Sequence, residues 1–169
     1  MSLEKFESFG VKMEIEEGEE EQTALVSLTT FQRGHPTLLG AIQITIGVIM
    51  LAKVVVMFFI DVDLQIISTL YWGFIFYITA GSMAIATNRK LTRPMVRGTL
   101  GTNLLANLGA IAGGILHFYV AFTFPSCHTN NVCFYLGLSE MAMVALCMLE
   151  FIVSILVVFF ALRALCSSS

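Results

Sequence analysis

Three ionisable side chains stand inside strongly apolar runs: Lys53 in "IMLAKVVVMF", and Glu140 and Glu150 in "SEMAMVALCMLEF". A charge near the centre of a bilayer costs roughly 2.5–3.5 kcal/mol on insertion scales, so each needs a partner. Lys53 lies seven residues before the outer end of its run, and Glu150 nine residues after the outer start of the last run. Two residues of helical rise are about 3 Å, which sets the two groups at nearly equal depth. The first and fourth helices of an up-and-down bundle can be neighbours. The spacing therefore predicts an intramembrane ion pair between Lys53 and Glu150. Two other readings stay open: Lys53 snorkels toward Asp61 or Asp63, or Glu140 and Glu150 line a cation pathway, for which the other runs offer few acids.

Cysteine chemistry is confined to a few positions. Cys127 and Cys133 in "FPSCHTNNVCFY" are close enough to close a small ring on an oxidising face, which predicts a disulfide. A zinc site using Cys127, His128 and Cys133 with His117 is the alternative, but its spacing matches no familiar ligand pattern. Cys166 is a candidate for palmitoylation at the membrane edge, and Cys147 reads as packing. No nucleophile stands beside a base, no Gly-rich phosphate loop follows a strand, and no paired carboxylates occupy a soluble cleft. The expectation is a protein without enzymatic activity, cofactor or metal.

The elements that carry these residues follow from composition. The 169 residues are 57% hydrophobic and 12% charged, with a mean hydropathy of +0.84, whereas soluble domains carry about 25% charged residues. Four runs reach the roughly 20 residues a spanning helix needs: Leu39 to Ile60, Ile66 to Ala86, Leu100 to Phe124 and Met141 to Leu162. Lipid cannot satisfy strand edges, so the predicted fold is all-α, an integral membrane four-helix bundle with the bilayer as its first partner.

Charge orients the bundle. The stretch "TNRKLTRPMVRG" holds Arg89, Lys90, Arg93 and Arg97, four of the nine Lys and Arg residues, while the loops Asp61 to Gln65 and Pro125 to Gly137 hold none. With Arg33 before the first span and Arg163 after the fourth, the positive-inside rule predicts a cytoplasmic basic loop and cytoplasmic N and C termini. Twelve residues between two spans make no folded basic face, so no nucleic-acid partner is expected. Residues 1–38 contain eight of the twelve acids, six of them in "EIEEGEEE". Such a run repels itself and predicts a disordered cytoplasmic arm without a signal peptide. Residues 163–169 read as a short cytoplasmic tail.

Small and polar residues mark the helix-packing faces. In the third span Asn103, Asn107, Ala110, Gly114, His117 and Ala121 recur at steps of three and four; in the fourth, Glu140, Met143, Cys147, Glu150, Ser154 and Ala161 do the same. Gly109 and Gly113 form a GxxxG pair, and Gly73, Ala80, Gly81 and Ala84 line the second span. Such faces pack helices together within a bundle or join whole bundles into a homo-oligomer.

"LGAIQI" with Gln43, "YWGFIFYITAGSMAIA", "NRKLTRPMVRG" and "LGTNLLANLGAIAG" resemble, in order and spacing, the membrane-spanning 4-domains subfamily A. That family includes the B-lymphocyte surface antigen and the beta chain of the high-affinity IgE receptor. The resemblance covers Leu39 to Leu162, and the segment around Glu150 is similar to the family's acidic position in span four. Lys53 departs from its usual apolar pattern. The large outer loops and cysteine motifs of tetraspanins and claudins are missing. The resemblance implies a plasma-membrane or endolysosomal multi-pass adaptor with cytosolic termini. Such a protein would oligomerise, associate with a membrane receptor or co-receptor and tune signalling, trafficking or calcium entry. The alternative is a cation channel subunit or channel regulator.

Overall fold

Helix α1 starts where the backbone turns sharply. His35 has φ 49°, and its carbonyl accepts the amides of Leu38 at 2.9 Å and Leu39 at 3.1 Å, as the residue just outside a helix does. Pro36 then fills the first helical position, where a missing N–H costs nothing. The computed structural model describes residues 29, 31–59, 73–123 and 131–166, and their regular structure is all-α. The helices are α1 (Pro36–Phe59), α2 (Gly73–Arg89), α3 (Arg93–Thr123) and α4 (Asn131–Cys166). Segments Pro36–Val56, Arg93–Phe122 and Gly137–Cys166 are long and apolar enough to cross a membrane. α2 has 17 described residues, about 25 Å of helix; residues 66–72 of the expected second span lie outside the described residues.

The helix ends at Pro36, Arg89 and Cys166 lie three or four residues beyond the expected span ends, and three other boundaries differ for a clear local reason. α3 begins at Arg93, seven residues before the expected span, because Thr92 accepts the Val96 amide at 3.0 Å and Pro94 is tolerated in a first turn. The basic stretch is therefore a tight turn at residues 90–92: Arg89 ends α2, and Arg93 and Arg97 lie on α3. α4 begins at Asn131, ten residues before the expected start, so much of the expected outer loop is helix. The arm expected over residues 1–38 ends earlier. Phe31 is only 1% exposed and sits among Ala84, Val96, Val157, Ala161 and Ala164, an apolar slot that rewards its burial.

The bundle is inside out relative to a soluble protein. Gln43, Asn103 and Glu150 are 0% exposed, while Leu108 and Ile115 are 64% and 66% exposed. Lipid is the solvent that suits this surface, because hydrocarbon outside leaves interior polar groups to satisfy one another. The helices run up and down around a closed ring, α1 against α2, α2 against α3, α3 against α4 and α4 against α1. Arg33, Arg89, Lys90, Arg93, Arg97 and Arg163 all fall at one end of it.

Among the described glycines, the closest approach to another helix's backbone joins α1 to α2. A Cβ on Gly81 would lie 2.4 Å from the Gly40 carbonyl oxygen, and one on Gly40 would lie 2.5 Å from the Gly81 carbonyl oxygen. By contrast, Gly109 faces Phe76 and Tyr77 at 3.5 Å or more, and Gly113 and Gly114 face Cys147 at 3.4 and 3.7 Å, ordinary van der Waals distances. The GxxxG pair is thus an ordinary contact, and the tight one is Gly40 with Gly81. Gly81→Ala is expected to lower stability by roughly 1–3 kcal/mol, as overpacking against rigid backbone does. Gly109→Ala and Gly113→Ala should stay near neutral in detergent melting; equal losses at all three sites would contradict this packing.

Candidate functional site

The polar side chains that lipid forces inward gather in two layers. In the middle layer Gln43 Nε2 faces Asn103 Oδ1 at 2.9 Å, Glu150 Oε1 at 2.8 Å and Ser154 Oγ at 3.0 Å. Ser154 also donates to Glu150 Oε1 at 3.1 Å, and Asn103 Nδ2 donates to the Thr99 carbonyl one turn back at 2.9 Å. One amide on α1 thereby ties together α3 and α4. Hydrogen bonds of this kind are worth about 0.6–2 kcal/mol in membranes.

The second layer holds the charges. Lys53 Nζ lies 2.6 Å from Glu140 Oε1, and His117 Nδ1 lies 2.7 Å from Glu140 Oε2. The expected Lys53–Glu150 pair is therefore corrected: the partner of Lys53 is Glu140, and Glu150 belongs to the Gln43 layer. The reason is helix phase. Depth counted from Met141 sets both acids too close to the outer surface, because α4 starts at Asn131. Gln43 and Lys53 are ten residues apart on α1, and Glu140 and Glu150 are ten apart on α4. Antiparallel packing pairs 43 with 150 and 53 with 140, and the layers stand about 15 Å apart.

Between them the interior is apolar, with Ile46, Met50, Met143 and Cys147 packed together and Tyr77, Ala80, Ala106 and Ala110 completing the buried cluster. Below the middle layer the hydrogen bonds continue toward the basic end. Thr99 meets Thr87 hydroxyl to hydroxyl at 2.7 Å, and Asn88 Nδ2 donates to Thr37 Oγ1 at 2.7 Å. Together these groups join all four helices.

Other expected site residues fall as follows. Asn107 is partly buried on α3, with Oδ1 wholly buried. Cys166 is an exposed thiol at the end of α4 and Cys147 a buried one, so Cys166 is reachable by an acyl donor. The Cys127–Cys133 disulfide lies outside the described residues: Cys127 is not among them, nor is the side chain of Cys133. Among the described residues, no three His, Cys, Asp or Glu side chains cluster as metal ligands. The Thr87–Thr99 and Asn88–Thr37 contacts carry no periodic sequence signal. The Glu140 pairing does, in the shared ten-residue spacing on two antiparallel helices.

No protein-family model matches the chain. The chain is 36% identical over 94 residues to human (Homo sapiens) membrane-spanning 4-domains subfamily A member 15, covering 50% of this chain and 37% of that protein. It is 31% identical over 136 residues to member 3 of the same subfamily from Mus musculus, covering 68% of this chain and 62% of that protein. It is also 31% identical over 93 residues to the high affinity immunoglobulin epsilon receptor subunit beta of Mus musculus, covering 50% of this chain and 40% of that protein. The matched stretches thus span between about two fifths and three fifths of these relatives.

The pairing makes a discriminating prediction. In a double-mutant cycle on the melting of the purified protein, Lys53→Met and Glu140→Gln should couple by about 0.5–3 kcal/mol. Lys53→Met and Glu150→Gln should be additive within about 0.5 kcal/mol. Coupling to Glu150 instead would reverse the layer assignment.

Proposed function

From the premise that this chain is a relative of the membrane-spanning 4-domains subfamily A, we propose that it is a receptor-associated multi-pass membrane protein. It offers the outer faces of a rigid bundle to partner helices and conducts no ions through its own core. The observation that carries this reading is the filled interior. Any axial path would have to cross the layer of Ile46, Met50, Met143 and Cys147 and then the slot plugged by Phe31 and Val157. On either side Gln43 with Asn103, Glu150 and Ser154, and Glu140 with Lys53 and His117, contact one another over 2.6–3.1 Å, whereas a permeation path lines itself with polar groups facing water.

A relative that is by name a subunit of an immunoglobulin receptor supports association with a receptor as the mode of action. The partner is a membrane receptor or co-receptor, and the outcome is a change in its signalling, trafficking or calcium entry. Self-association belongs to the same proposal: Gly101 on α3 is exposed, with nothing within 4 Å of a Cβ placed there, so a second helix can approach closely. The end carrying Arg33, Arg89, Lys90, Arg93, Arg97 and Arg163 faces the cytosol by the positive-inside rule, which puts both termini there. The plasma membrane is the proposed location, with endolysosomal membranes as the alternative.

Reconstituted alone into liposomes, the purified chain should show cation flux at the level of empty vesicles. From native cells in mild detergent, it should co-purify with a receptor. Robust cation flux without a partner would overturn the adaptor reading in favour of a channel, with the pore formed between copies. An epitope tag at either terminus should be stained only after permeabilisation; staining in intact cells would reverse the orientation.

A further inference from the structure

The middle layer holds more acceptors than donors. Gln43 Nε2 has two protons for three oxygens, while the oxygen of the same amide is buried without a partner. Turning that amide over would set its oxygen against Asn103 Oδ1 and a carboxylate oxygen. Asn103 cannot yield, because its own nitrogen donates to the Thr99 carbonyl, so the orientation is fixed by the neighbours. Glu150 Oε2 and Asn107 Oδ1 are also buried without a hydrogen-bond partner, as is the Tyr77 hydroxyl, which lies beside Cys147 in the apolar cluster. Asn107 stands one turn along α3 from Asn103, on the same face. The packing that sets His117 against Glu140 also places Asn107 level with Glu150, each ten residues nearer the basic end.

Three of the four orphaned oxygens, those of Gln43, Glu150 and Asn107, share a chemical need. They can only accept, one belongs to a carboxylate that is 0% exposed, and Lys53 and His117 sit against Glu140 and not against Glu150. Buried groups of this kind are satisfied by a donor or a cation.

We propose that the middle layer binds one monovalent metal cation, with Glu150 Oε2, Gln43 Oε1 and Asn107 Oδ1 as its ligands. Charge decides between ions. One carboxylate and two neutral amide oxygens balance a single positive charge, and a divalent ion would leave a net charge in a low-dielectric site, where uncompensated charge is costly. Calcium sites also gather six to eight oxygens, several of them carboxylate. An all-oxygen set with no thiolate or imidazole does not suit a transition metal. The cation is occluded between the Phe31 slot and the Met50 layer, so the site stabilises the bundle rather than passing ions. It neutralises Glu150 at the level where Gln43 ties α1 to α3 and α4.

The test is melting of the full chain in lipid nanodiscs, in sodium, potassium or N-methylglucamine chloride at equal ionic strength. A saturable rise in melting temperature with sodium or with potassium, absent with the organic cation, is expected. Glu150→Gln should abolish the dependence, and Asn107→Ala should raise the metal-cation concentration for half-effect by about tenfold, as loss of one ligand does. Lys90→Ala at the surface turn should leave it unchanged. Should Glu150→Gln fail to fold, Asn107→Ala decides alone. Identical melting in all three salts would overturn the proposal, leaving water or an acid proton on Glu150 to fill the layer. A metal-cation effect that survives both Glu150→Gln and Asn107→Ala would equally overturn it.

Discussion

Lipid gives no hydrogen bonds, so the polar groups inside this bundle must find their partners within it. That constraint fixes the relative height of α1 and α4. Sliding one past the other would separate Gln43 from Glu150 and Lys53 from Glu140 together, and stranding one partner of a buried charged pair costs about 3–5 kcal/mol. Apolar contacts alone discriminate poorly between neighbouring heights, because one Leu or Val resembles the next. Two polar layers about 15 Å apart act as two pins, and the cluster around Met50 and Met143 packs in the space they leave.

The remaining contacts fit around those pins. Gly40 and Gly81 let α1 and α2 meet backbone to backbone, so α2 is held by close packing where it lacks a charged partner. At the basic end, Phe31 closes the core while Gly34 passes directly against the Phe160 ring. A bundle pinned at two heights and stopped at one end has little internal freedom, which suits a protein that acts through its outer faces. Those faces are apolar around the ring, with Leu108 and Ile115 on α3 and Met148 and Ile152 on α4 among the exposed side chains.

Much of this was legible in the residues. The hydropathy of the spans exceeds anything a soluble core of this size needs, and the three- and four-residue recurrence of Asn103, Asn107 and His117 marks an inward face. What was not legible was phase. Hydropathy locates the centre of a span well and its ends poorly, since Asn131, Gly137 and Ser139 look like loop residues yet are helical in α4. Ten residues of error at that end carried the Lys53 pairing from Glu140 to Glu150. The basic stretch misled in the same way: charge suggests a loop, but Thr92 and Pro94 begin a helix through Arg93 and Arg97. Phe31 was hidden by the acidic run before it, whose composition says nothing of one aromatic side chain at its edge.

Cross-linking by paired cysteines tests the register of α1 against α4 most directly. In a Cys147→Ser background, Met50→Cys combined with Met143→Cys occupies a level between the two polar layers, one turn from the Lys53–Glu140 layer. Met50→Cys combined with Val153→Cys occupies the level required if Lys53 were paired with Glu150. Mild oxidation in membranes should join the first pair within one chain, seen as a fragment-linking band after cleavage in the turn at residues 90–92, and leave the second pair unjoined. Efficient joining of the second pair, with none in the first, would contradict the account.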